Sequence, residues 1–160
     1  MGWFPDLGTH TLIASGPHVR AIGWLSASYP FPTGDTPPEV LARIKQFCRR
    51  SDEGMDALSW GLFRGVHECE LCRSFRRGGN VGVPAGELLY VFPDMLAHYV
   101  KVHRYAPPAK FVAAVMVAPL PGTPEYHEAV AAFREYEQRR RAGQSRHAEP
   151  DGAPDRGGIE

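Results

Sequence analysis

Four side chains stand out for the chemistry they share. Cys69 and Cys72 form a C-x2-C pair, and His98 and His103 follow as H-x4-H after an interval of 25 residues. Two thiolates on a tight turn grip one side of a cation, and two imidazoles from a helix end complete a tetrahedron. Soft thiolate and borderline imidazole together suit zinc better than magnesium or calcium. The expected cofactor is therefore zinc, held by Cys69, Cys72, His98 and His103. His67 is a fifth candidate. It lies two residues before Cys69, so on a strand both side chains point to the same side. A set with His67 replacing one helix histidine stays open at this stage, as does a plain pair of free thiols. A redox dithiol normally opens a helix in a thioredoxin-like unit, and no such pattern surrounds Cys69.

The spacing of the histidines raises a geometric objection. Residues five apart on an ideal helix are separated by about 140°, so His98 and His103 share a face only if the last turn changes its winding. Arg104-Tyr105-Ala106-Pro107 favours a helix end there, because residues preceding proline avoid the α region.

Chemistry beyond metal holding has weaker support. A catalytic zinc needs an open position and a base, and Glu68 and Glu70 are the nearby carboxylates. Acidic residues alternating with ligands on a knuckle normally face solvent. The order of residues matches neither the zinc deaminases nor H-E-x-x-H. Arg73, Arg76 and Arg77 follow the knuckle and offer phosphate contacts. However, the helix bearing the histidines also carries Leu96, Tyr99, Val100 and Val102, too apolar for a groove-reading helix. Eighteen basic and eighteen acidic residues cancel, which argues against a protein living by non-specific DNA binding.

The elements that must position these residues read as α+β: a small antiparallel sheet of about four strands packed with about four helices, with a zinc-knuckle or treble-clef-like metal site. Runs 9–14 and 18–26 read as strands joined by a Ser15-Gly16-Pro17 turn. Thr36 and Pro37 open a helix over 38–50 with Val40, Leu41, Ile44, Phe47 and Cys48 at helical spacing. Cys48 reads as a small core residue. Ser51 to Met55 breaks that helix, and 58–66 reads as a strand entering the knuckle. Residues 73–86 read as an excursion with little core material, 87–92 as a short apolar strand, and 95–105 as the histidine helix. Two further helices span 108–117 and 124–141, the last capped by Thr123. One zinc-binding domain is expected over 1–141 and a disordered tail over 142–160, where almost nothing is apolar.

Three cysteines and no basic-then-apolar leader speak against a disulfide framework and a signal peptide, so the cytoplasm is the expected compartment. No run reaches the roughly 18 apolar residues of a membrane helix. Trp3, Phe4, Trp24, Tyr29, Phe31, Trp60 and Phe63 concentrate in the first 63 residues, supplying core and groove surface in proportions the sequence leaves open.

The segments Phe63–Cys72 and Leu89–Val100 and the run His103-Arg104-Tyr105-Ala106-Pro107-Pro108 together resemble a group of small uncharacterised bacterial proteins. That group has an H-x-C-x2-C knuckle followed by a segment with His-Tyr-Val/Ile and then His-x-Tyr-x-Pro-Pro. Ala21-Ile22-Gly23-Trp24-Leu25 and Phe31-Pro32-Thr33-Gly34 are similar too, so the resemblance covers residues 18 to 120. It implies no activity. It implies a shared site among His67, Cys69, Cys72, His98 and His103 without choosing among them. The expected function is a structural zinc site in a protein-interaction or accessory module, with a protein partner. The alternatives are a small hydrolytic or lyase-type metalloenzyme and a zinc-dependent nucleic-acid binder.

Overall fold

A computed structural model of the chain describes residues 2–60 and 66–146. Among these residues the fold is α+β, with ten elements. They are β1 (Val19–Ala21), α1 (Pro38–Arg49), α2 (Ser51–Ala57), β2 (His67–Glu68), β3 (Arg76–Arg77), β4 (Asn80–Ala85), β5 (Leu88–Pro93), α3 (Leu96–His103), α4 (Ala109–Val117) and α5 (Pro124–Arg146). No helix is long and apolar enough to cross a membrane.

The main sheet has the order β1-β5-β4. β5 is central because its sequence is apolar on both faces, and Leu89, Tyr90, Val91 and Phe92 are all buried. Tyr90 and Phe92 point to the α4 side, where both meet the ring of Phe111 edge-on at 5.8 and 5.5 Å. β4 runs antiparallel to β5, pairing Asn80 with Pro93 through Ala85 with Leu88. β1 runs parallel to β5, pairing Val19 with Leu89 and Ala21 with Val91. The sheet is therefore mixed rather than wholly antiparallel. A second, separate ribbon joins β2 and β3 antiparallel.

Several local expectations need correction. Residues 9–14 do not form a strand paired with 18–26. Thr11 Oγ1 accepts from the amides of Ile13 and Ala14 at 3.3 and 3.0 Å, a local turn that competes with any ladder. The helix break after α1 is a single residue, Arg50, and a second helix starts at once. Residues 58–60 form a turn rather than a strand, and 61–65 of the expected strand, including Phe63, lie outside the described residues. The supposed excursion contains β4, whose residues Asn80 to Pro84 are all buried. α1 begins at Pro38 as expected, but its capping residue is Pro37 rather than Thr36, and the Pro37 carbonyl accepts from Val40 and Leu41. α5 continues to Arg146, five residues beyond the expected end, and 147–160 of the expected tail lie outside the described residues.

Long-range polar contacts lock the helices on the sheet. Arg43 of α1 donates to the carbonyls of Val115 and Ala118 at the end of α4. The Tyr126 hydroxyl of α5 donates to Gly82 O of β4 at 2.7 Å. Asp6 accepts from Gly23 N and from the Tyr105 hydroxyl at 2.9 and 2.7 Å, tying the N-terminal segment to the residues just after α3. Gly23 is required here: its φ is +64°, and a Cβ would meet Leu96 Cδ1 of α3 at 2.5 Å. The Asp6–Tyr105 bond and the close approach of Gly23 to Leu96 are the ties that bear on α3, the helix that carries both histidines.

Candidate metal centre

The thiol half of the site is a turn of chain between β2 and β3. Cys69 N donates to Phe75 O at 2.9 Å, and Arg73 N donates back to Cys69 O at 2.8 Å. Arg73 takes a left-handed φ of 55°, which curls the chain so that both sulfurs face inward. The backbone amides of Leu71 and Cys72 donate to the Cys69 sulfur. The hydroxyl of Ser74 lies 3.0 Å from Cys72 Sγ. That hydroxyl, assisted by the Ser74 amide, holds the Cys72 thiol below its ordinary pKa, so its thiolate forms more readily. Burial instead pushes the Cys69 thiol up, with the two amides opposing that shift.

The imidazole half comes from the C-terminal part of α3, and the spacing objection resolves at its last turn. The amides of Arg104 and Tyr105 both donate to Tyr99 O, five and six residues back instead of four. This π-like widening, closed by Arg104 at a left-handed φ of 53°, brings His103 over His98. Burial lowers the pKa of both rings, and His103 adds to the effect at His98. Both shifts favour the neutral imidazole, the form that binds a metal.

The two halves converge. One ligand atom from each of Cys69, Cys72, His98 and His103 lies within 4.8 Å of all the others. Cys69 Sγ is 3.4 Å from His103 Nε2, and Cys72 Sγ is 3.4 Å from His98 Nε2. The two Nε2 atoms are 3.2 Å apart. A tetrahedral zinc with ordinary bond lengths sets sulfur–nitrogen edges of about 3.6 Å and a nitrogen–nitrogen edge of about 3.3 Å. The donor set thus fits a single four-coordinate ion. Cys69 is wholly buried, and the ring of Phe75 stacks on His98 at 4.4 Å and 6°, shielding that ligand from the side.

The other residues singled out by sequence go elsewhere. His67 is paired with Arg77 across the β2–β3 ribbon and is outside the four-atom cluster, and its Nε2 is buried without a hydrogen-bond partner. Glu68 accepts from Arg76 Nε at 2.9 Å. Glu70 accepts from the Ser26 hydroxyl and from Ala27 N, which together hold its pKa below the usual carboxylate range. Arg77 forms an ion pair with Asp94 at 3.2 Å and donates to Cys48 O. Cys48 is a core residue, as expected, and burial pushes its thiol up to about 12. Trp24 and Trp60 are buried, whereas Trp3 and Tyr29 are exposed and stack on each other at 4.0 Å.

Ser74, Phe75 and Asp94 escaped the reading of the sequence. Ser74 was visible in principle, since a hydroxyl two residues past a ligating cysteine sits within reach of its sulfur. Asp94 is a buried carboxylate that pairs with Arg77 and accepts from Ser51 Oγ at 3.4 Å. Gly79 packs directly on this pair, where a Cβ would meet Asp94 Oδ2 and Ser51 Oγ at 2.6 Å each. Burial raises the Asp94 pKa, and Arg77 opposes the rise.

No curated protein and no solved structure matches the chain. A family model described as a domain of unknown function (DUF7919) matches residues 2–116, a span that includes the main sheet and all four clustered side chains and ends within α4. The chain belongs to that family.

Proposed function

We propose that Cys69, Cys72, His98 and His103 hold one Zn²⁺ in a closed structural site, and that the protein works by binding a protein partner. The observation that carries the metal reading is the convergence of four ligand atoms at tetrahedral edge lengths. Four side-chain donors fill the coordination sphere of zinc, the pattern of structural rather than catalytic sites. The engagement of Glu68 with Arg76, and of Glu70 with Ser26 and Ala27, supports the same reading, because it leaves neither carboxylate committed to a metal-bound water. Arg76 and Arg77 are likewise held within the chain, which weighs against the knuckle as a phosphate-reading surface. The exposed Trp3–Tyr29 stack supports a binding role, since aromatic side chains are enriched at protein interfaces.

When bound, the ion neutralises the two thiolates and ties the knuckle to α3. Binding of this kind supplies about 10 kcal/mol or more in zinc-finger peptides. The test is the metal content of untagged protein by elemental mass spectrometry, followed by thermal melting with and without chelator. One zinc per chain is expected, together with a lower melting temperature after chelation and a metal-free Cys72→Ala variant. A metal-free protein whose melt is unchanged by Cys72→Ala would sink the reading.

A further inference from the structure

Beside the Cys/His cluster, two adjoining open clefts of about 260 Å³ each lie along α1, α3 and the end of the knuckle. They share Lys45, Phe75, Ala97 and His98 as lining residues. Arg49 and Arg77 border the first cavity, and Lys101 borders the second. Arg77 is neutralised by Asp94 at the floor. Lys45, Arg49 and Lys101 have no hydrogen bond or ion pair among the described residues. Lys45 and Arg49 are four apart on α1, so they stand on one helical face, where like charges repel. Lys101 adds a third positive charge from α3. Three cations without partners along the two adjoining clefts, with an aromatic wall of Phe75 and His98, are complementary to an anion with an attached planar or apolar body.

We propose that this cleft binds a phosphate-bearing small molecule. Lys45, Arg49 and Lys101 neutralise the phosphate, and Phe75 contacts the remainder. A lysine ammonium serves as a point charge for phosphate, and an arginine adds a bidentate fork. Each cleft, at about 260 Å³, is slightly smaller than the roughly 300 Å³ at which small-molecule sites begin, and the two adjoin. The proposal shares His98 with the metal centre but does not depend on it, since its three cations stand on α1 and α3.

The test titrates the full chain with inorganic phosphate, AMP and adenosine at low salt, following amide chemical shifts, on a sample whose metal content is measured in parallel. Saturable binding of phosphate and AMP is expected, with shifts on α1 and α3, and no binding of adenosine at the same concentrations. A Lys45→Gln/Lys101→Gln variant should bind at least ten-fold more weakly, and added salt should weaken the wild type. A Lys110→Gln/Arg134→Gln variant, which removes two cations from α4 and α5, should bind as wild type does. Adenosine binding equal to AMP, no saturable phosphate binding, or equal losses in the two double variants would overturn the proposal. A negative result with one zinc per chain leaves the metal reading standing, and phosphate binding by a metal-free protein separates the two in the other direction.

Discussion

The main sheet and the metal corner are built by different means. Around β5 the chain buries Leu89, Tyr90, Val91 and Phe92 against Phe111 and the neighbouring strands, so apolar area holds the elements together. Around the knuckle, β2 and β3 are two residues each, and Arg76 and Arg77 are exposed. A ribbon that short is not stable alone in water. Its fixed points are the two sulfurs, the backbone donors to them, and the Glu68–Arg76 and Arg77–Asp94 pairs. On the proposed metal reading, one ion replaces a layer of core there, and the order of the corner depends on it.

The largest expected effect breaks this contrast open. Chelation should strip hydrogen-exchange protection from the amides of Cys69 and Arg73 by orders of magnitude, because both sit in knuckle hydrogen bonds. Amides of the β4–β5 ladder should stay protected. Equal loss in both regions would mean that the sheet also depends on the metal and that the two regions form one cooperative unit.

A second substitution probes the other side of the comparison. Phe111→Ala removes a fully buried ring from against Tyr90 and Phe92 and should cost about 4 kcal/mol, read by denaturant melting of the metal-loaded protein. One zinc per chain should remain under native conditions. Loss of metal in a still-folded variant would show that the core positions α3 more directly than the Asp6 and Arg43 contacts imply.

The smallest effect is electrostatic and lies on the sheet side, away from the knuckle. Burial lowers the pKa of His18, while Glu137 partly opposes that shift, and its ring packs on Phe133 and Tyr136 of α5. The unfolded chain therefore binds the proton more readily than the folded one, so stability falls as pH drops through the ordinary histidine value of 6.5. His18→Gln should flatten the stability–pH slope just below pH 6.5 by a modest amount, because the ring is only partly buried. A slope unchanged by the substitution would assign the acid sensitivity to the metal ligands instead.

How much of this was legible in the sequence depended on how local the signal was. The four clustered side chains were readable because residue type and spacing carry them, and α1, α3, α4 and α5 because prolines and apolar stripes do, whereas α2 falls where the sequence reads as a break. The pairing of β1 was not, since its parallel partner lies 70 residues away, from Val19 to Leu89. β4 was hidden by its own composition. Asn80, Gly82 and Pro84 are poor strand formers, yet β4 is at the edge of the sheet order, where a proline is tolerated. At 9–14 the error ran the other way: an alternating pattern was outvoted by one threonine hydroxyl. The winding of α3 lay between these cases, because the proline at 107 marked an ending without specifying its shape.

The parallel pairing of β1 with β5 has a consequence for synthesis. Chains are made at about 5–20 residues per second, so β1 waits several seconds for the strand that covers it. The thiols at 69 and 72 leave the ribosome before the imidazoles at 98 and 103. For roughly one to six seconds the nascent chain presents the dithiol turn without the two histidines. On the proposed metal reading, delivery of the ion, or protection of the thiols from oxidation, falls in an interval set by the order in which the halves are translated.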